Sequence, residues 1–153
     1  MRPMPTIGHG IDIVDIARIK RMLADHPERF LERCFTPAEV EYCRAGKAGP
    51  WSSRSLERLS GRFAMKEAVL KALGTGWRHG IAWTDIETLP DDSGRPVIRL
   101  CGQALRFAEA AGVTRWCVSI SHTSASDEKC ETCGGFGGIA MASAIAIGGE
   151  NSP

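Results

Sequence analysis

The stretch Arg62-Phe63-Ala64-Met65-Lys66-Glu67-Ala68-Val69-Leu70-Lys71-Ala72-Leu73-Gly74-Thr75-Gly76 decides how this chain folds. At 3.6 residues per turn, Leu59, Phe63, Leu70 and Leu73 form one apolar stripe. Ala64, Ala68 and Ala72 form a second stripe on nearly the opposite side, small enough for another backbone to pack closely. A helix buried on two sides has no broad solvated face, yet this one carries Arg62, Lys66, Glu67 and Lys71. Charges so placed need partners, because an unpaired buried ion is costly. They either pair internally or hold a ligand carrying charge of both signs, as a metal–phosphate pair does. Glu67 and Lys71 also stand in the i,i+4 order that supports any helix by about 0.2–0.5 kcal/mol. The Gly-Thr-Gly that follows ends the helix, since glycine tolerates a left-handed C-cap.

Upstream, Ile7-Gly8-His9-Gly10-Ile11-Asp12-Ile13-Val14 alternates as a strand, with Ile7, His9, Ile11 and Ile13 on one face and Gly8, Gly10, Asp12 and Val14 on the other. Asp12 is thus a carboxylate near the end of an apolar strand, on a face that two glycines leave open to close approach. A turn or N-cap role is the plainer alternative, although Asp15 is better placed to cap the next helix. Downstream, Arg115-Trp116-Cys117-Val118-Ser119-Ile120-Ser121-His122-Thr123 reads as a buried strand ending in a polar cluster, where a histidine is commonly a hydrogen-bonded loop residue.

Together, Gly10 to Ile19, Arg62 to Gly76 and Val118 to Thr123 resemble the motifs of the holo-[acyl-carrier-protein] synthase family, the small bacterial-type 4'-phosphopantetheinyl transferases. The resemblance runs over roughly residues 5 to 147. It implies a single-domain α+β fold, a small antiparallel sheet wrapped by helices, assembled as a homotrimer with active sites between subunits. It also implies transfer of 4'-phosphopantetheine from coenzyme A to a serine of apo acyl carrier protein, with release of adenosine 3',5'-bisphosphate. The nucleophile then belongs to the partner, and this chain supplies positioning and charge neutralisation.

By the same resemblance, Asp12 and Glu67 match the metal-binding carboxylates, and two carboxylates with phosphate oxygens and water suit Mg²⁺. Lys71, Gly74, Thr75, His122 and Thr123 match positions that bind the coenzyme, Lys71 as a cation near the phosphates. Arg62 and Lys66 match motif positions as well, for the coenzyme or for internal carboxylates. Glu67, or water at the metal, takes the serine proton. Arg18 matches a position facing the acidic helix of the carrier protein. Arg21 shares its basic stripe on the first helix, either as a docking residue or as part of a solvated face.

Composition is compatible with this. At 153 residues the chain can form one domain with a real core, and its formal charge of +1 excludes a wholesale nucleic-acid binder. No run of 18 apolar residues is present, and Met1 to Thr6 lacks a signal-peptide core, so no membrane association and a cytoplasmic location are expected. Cys34, Cys43, Cys101 and Cys117 are scattered and read as reduced thiols. Cys130-Glu131-Thr132-Cys133 is a CxxC that supports a rival class, a zinc or redox domain. A non-catalytic carrier-protein binding module is the other rival; intact Asp12, Glu67 and Lys71 argue against it, since binding alone needs no metal site.

The remaining chain follows a coarse plan. Asp15 to Ala24 is an amphipathic helix with Ile16, Ile19 and Leu23 inward, and a short helix starts at Pro37 after Thr36 and ends near Arg44. Trp83 to Leu89 and Pro96 to Leu100 form a hairpin turned by Asp91-Asp92-Ser93-Gly94. Gly102 to Ala111 is a helix stopped by Gly112. Ser124 to Gly137 is a long glycine-rich connection to a closing strand, Gly138 to Ile147, where the family pattern has a short turn.

Overall fold

A computed structural model describes residues 5–123 and 137–149. Ten elements follow in order: β1 (Thr6–Asp15), α1 (Ile16–Asp25), α2 (Pro27–Cys34), α3 (Pro37–Arg44), α4 (Ser53–Leu73), β2 (Ile86–Pro90), β3 (Pro96–Leu100), α5 (Gly102–Ala110), β4 (Val113–His122) and β5 (Ile139–Gly148). Trp83–Asp85 is a 3-10 turn leading into β2, where the sequence suggests strand. β1, β5 and β4 make a three-stranded antiparallel sheet in that order, and β2 and β3 pair separately as a hairpin.

α4 is the axis of the molecule. Ser52 caps its start by accepting from the Ser55 N–H. At its end Gly74 adopts φ 71° while the Gly74 and Thr75 N–H groups return to the Lys71 and Leu70 carbonyls, a Schellman closure. The alanine stripe meets backbone, as expected: a side chain at Gly8 would collide with the Ala72 carbonyl, and one at Gly10 with the Ala68 carbonyl. β5 presents Ala140, Ala142, Ala144 and Ala146 to the interior, all fully buried. Small residues on both partners therefore let helix and sheet approach closely, and overpacking such a contact costs about 1–3 kcal/mol. The opposite stripe, with Leu59, Phe63 and Leu70, packs in a core shared with Ile16, Ile19, Leu23, Phe30, Phe35 and Ile86.

One element is new and two expectations change. α2 was not legible as a helix, although Pro27 opens it and Phe30 and Cys34 turn inward. β4 is an edge strand with no fully buried residue, because only β5 pairs with it. The helices cover one face of the sheet and do not wrap it: Ile7, Ile11 and Ile13 of β1 and Ile139 and Met141 of β5 stay exposed on the other. The same face carries a His9 Nε2 to Ser143 Oγ hydrogen bond of 3.0 Å.

Candidate active site

Two clusters lie at opposite ends of α4. At the C-terminal end, the pleat of β1 sends Asp12 toward the helix along with Gly8 and Gly10, and Lys71 reaches across to it. The Lys71 Nζ lies 2.8 Å from Asp12 Oδ1 and 2.9 Å from the Ile11 carbonyl. Glu67, one turn earlier, does not take Lys71 as a helix-stabilising partner; its Oε1 accepts a 2.8 Å hydrogen bond from the Trp77 indole N–H. Trp77 stacks on Trp83 at 3.6 Å between ring centroids, and Trp83 stacks on Phe63 at 4.6 Å. The Lys71 side chain is half exposed, so its pair with Asp12 is of the kind worth about 0–1 kcal/mol and easily exchanged for another partner.

Of the two readings of Lys66, coenzyme ligand or partner of an internal carboxylate, the structure shows the second. Its side chain is fully buried and its three ammonium donors are all used: 2.8 Å to Glu39 Oε2, 3.0 Å to the Trp83 carbonyl, and a third bond to the Ile86 carbonyl. Glu39 accepts in addition from the backbone N–H groups of Thr36 and Thr88. Burial pushes the Lys66 pKa below its ordinary value, and the Glu39 carboxylate opposes that shift. Lys66 is therefore an internal strut rather than a coenzyme ligand, and removing either partner leaves an uncompensated buried charge, a loss of about 3–5 kcal/mol. The backbone N–H groups of Gly74 and Thr75 are likewise committed to the helix cap. What Thr75 retains is its hydroxyl, whose oxygen is buried without a hydrogen-bond partner.

A cavity of about 390 Å³ opens beside Glu67 between α1 and α2. Met22, Phe30, Phe63 and Trp83 give it an apolar floor, while Arg18, Arg29 and Arg33 line it with cations. Arg18, expected on a carrier-facing surface apart from the metal site, shares this cavity with Glu67, and Arg29 and Arg33 join it from α2. Arg21 is exposed on α1 but does not line this cavity.

At the other end of α4, His122 closes β4. Its Nδ1 lies 3.6 Å from Glu57 Oε2 and its side chain is 40% exposed. Arg54, Arg58 and Arg62 border the same cavity of about 290 Å³. Arg62 is buried, donates to the Thr88 and Arg58 carbonyls, and lies over the Tyr42 ring at 4.4 Å. Thr123 follows His122 and fastens the hairpin mouth, its hydroxyl oxygen accepting from the Ile139 N–H at 2.9 Å. Glu57 precedes Glu67 by ten residues on one helix, about 15 Å at 1.5 Å per residue. One chain therefore does not bring His122 to the carboxylates.

The model of the 4'-phosphopantetheinyl transferase superfamily matches residues 8–131. A holo-[acyl-carrier-protein] synthase of Geobacter sulfurreducens is 48% identical over 118 residues, 77% of this chain and 89% of that protein. This chain belongs to the holo-[acyl-carrier-protein] synthase family. Another synthase, from Solibacter usitatus, is 40% identical over 119 residues, covering 78% of this chain and 90% of its own length. Among solved structures, a Plasmodium yoelii acyl carrier protein synthase with ADP bound superposes with a TM-score of 0.75 at 29% identity, over 97% of this chain and all of that one. A Helicobacter pylori holo-[acyl-carrier-protein] synthase in complex with coenzyme A gives 0.68 at 28% identity, over 90% and 98% of the two chains.

Family membership makes the donor set at Asp12 and Glu67 worth testing against a cation. Both are hard oxygen ligands, Asp12 already has an ammonium group beside it, and both side chains are only partly buried. Among the described residues no three or more His, Cys, Asp or Glu converge into a protein cage. Mg²⁺ held together with substrate phosphates requires only one or two carboxylates, so the set suits that ion. Cys130 and Cys133 lie outside the described residues, as does most of the Ser124 to Gly137 connection.

Proposed function

We propose that this chain transfers 4'-phosphopantetheine from coenzyme A to a serine of an apo acyl carrier protein, with Mg²⁺ held by Asp12 and Glu67. The observation that carries this is the family match, in a chain where Lys71 pairs with Asp12 and Glu67, one turn earlier on α4, lines a cavity with three arginines. In the reaction the serine oxygen bonds to the β-phosphorus and its proton passes to Glu67 or to water, while the bridge to the α-phosphate breaks and adenosine 3',5'-bisphosphate leaves. The bound ion supplies Lewis-acid polarisation of the pyrophosphate. Lys71 leaves its weak pair with Asp12 and presents its ammonium to the phosphates. Gly74 and Thr75 follow Lys71 at the positions that bind the coenzyme in the family. Arg18, Arg29 and Arg33 orient an acidic carrier helix over the cavity, so that its serine enters beside Glu67.

His122, Thr123 and Arg54 bind the nucleotide end of the coenzyme from a neighbouring subunit. Two features support this assembly: the 15 Å along α4 between the clusters, and the uncovered isoleucine and methionine face of the sheet, which a homotrimer would bury. The test is to incubate the purified chain with coenzyme A, Mg²⁺ and a panel of apo carrier proteins and weigh the products. A carrier heavier by one phosphopantetheine, with adenosine 3',5'-bisphosphate released in equal amount, is expected. Carrier binding without any mass change across the panel would instead make the chain a docking module.

A further inference from the structure

The Trp77 indole is joined to Glu67 by more than one hydrogen bond. Its plane is fixed by stacking on Trp83, at 3.6 Å and 26°. Trp83 stacks in turn on Phe63, at 4.6 Å and 28°, and Phe63 stands four residues before Glu67 on α4. The loop thus returns to the helix it left, and its aromatic rings rest on the turn below the carboxylate they contact. Lys66, the residue next to Glu67, holds the Trp83 carbonyl at 3.0 Å, and the buried Glu39 carboxylate holds Lys66. Glu67 is therefore clamped by a closed ring of contacts: helix, Phe63, Trp83, Trp77, and back to the carboxylate.

We infer that Trp77 is a positioning residue for the metal carboxylate: its indole N–H fixes Glu67 Oε1 and leaves Oε2 aimed for the cation. This rests on the assignment of Glu67 as a metal ligand. Donors that orient a ligating group from behind change metal affinity by about 10–100-fold when lost, because a freely rotating carboxylate must be ordered anew on binding. An indole suits this task. It has one donor, no acceptor and only two side-chain torsions, so once stacked it can present its N–H in a single direction.

Replacing Trp77 with Phe keeps a ring to stack on Trp83 and removes only the N–H. With Mn²⁺ as the probe, followed by electron paramagnetic resonance of the free ion, Trp77→Phe is expected to weaken binding about tenfold. The Michaelis constant for coenzyme A at saturating Mg²⁺ should stay within about twofold, which a general loosening of the fold would not leave untouched. Glu67→Gln is measured beside it. Unaltered Mn²⁺ affinity in Trp77→Phe, with binding lost in Glu67→Gln, would overturn the role of Trp77 and leave Glu67 as the ligand. Unaltered affinity in both would overturn the ligand assignment, and this inference with it. Should Trp77→Phe not fold, the parent protein decides by ¹⁵N NMR: Mn²⁺ should broaden the indole N–H signal of Trp77 more than those of Trp51 and Trp116. Equal broadening of all three would contradict the inference.

Discussion

The C-terminal half of α4 gathers acids, each met by a donor: Asp12 by Lys71 and Glu67 by Trp77. The N-terminal half gathers basic residues, with Arg54, Arg58 and His122 around a cavity in which Glu57 is the acidic wall. On the proposed function a pyrophosphate with its cation would lie at the first end and a further phosphate at the second, yet about 15 Å of helix separates the two within one chain. Under the proposed assembly, two adjoining copies brought together through the uncovered sheet face would resolve this without any change of shape.

The largest effect that could break this comparison lies at the acidic end. Asp12→Asn and Glu67→Gln should each leave a folded protein and lower kcat by about 10²–10³-fold, the scale of losing one preorganised electrostatic group. Turnover persisting in both variants, or in excess chelator, would remove the distinction between the ends. At the cationic end the effect should be smaller and of another kind. His122→Ala is expected to raise the Michaelis constant for coenzyme A about tenfold, the scale of one hydrogen bond to a charged group, with the pH–rate profile unchanged in shape. Loss of a titrating limb would make His122 an acid–base residue.

The carrier-facing rim comes next. Arg18→Glu should raise the Michaelis constant for apo carrier protein several-fold and flatten its salt dependence, because rim charges act through encounter and are screened beyond about 8–10 Å. The constant for coenzyme A should not move; if only that constant moves, the α1–α2 cavity is not the docking surface. The smallest effect concerns the thiols of the shared core. Burial pushes Cys43 up to about 12 and Cys34 up to about 11. Between roughly pH 9 and those values the unfolded thiols lose their protons while the folded ones keep them, so stability falls as pH rises through that window. Urea midpoints from pH 8 to 11 should decline accordingly, and at pH 8 iodoacetamide should modify the exposed Cys101 and Cys117 before either buried thiol. Equal labelling of all four would contradict the burial.

Much of this was legible in the chain because it rests on periodicity and on residue size. The alanine stripe of α4 and the two glycines of β1 announced a close backbone contact before any partner was known. The caps Asp15, Thr36 and Gly74 marked helix ends correctly, since capping is a local property. For Lys66 the chain leaves two readings open, coenzyme ligand or partner of an internal carboxylate, for the opposite reason. Its partner Glu39 lies 27 residues away on α3, and nothing local signals whether a lysine in a helix turns inward to a carboxylate or outward to a ligand. α2 escaped notice because Pro27 to Cys34 is short and largely polar, and with it went Arg29 and Arg33. Trp77 carried no motif; its role comes from a hydrogen bond and a stack that only the folded loop creates.

The most direct measurement mixes two damaged chains. Glu67→Gln has an intact cationic end, and Arg54→Ala/His122→Ala has an intact acidic end. Each is assayed alone, and then both are assayed after co-expression and purification as mixed oligomers, at coenzyme A well below its Michaelis constant. If one active site takes its acids from one copy and its cations from the next, the mixed oligomers contain some sites with no damaged residue. Their activity should exceed the mean of the two parents several-fold. Activity equal to that mean would contradict the shared site and place both ends of α4 in separate roles.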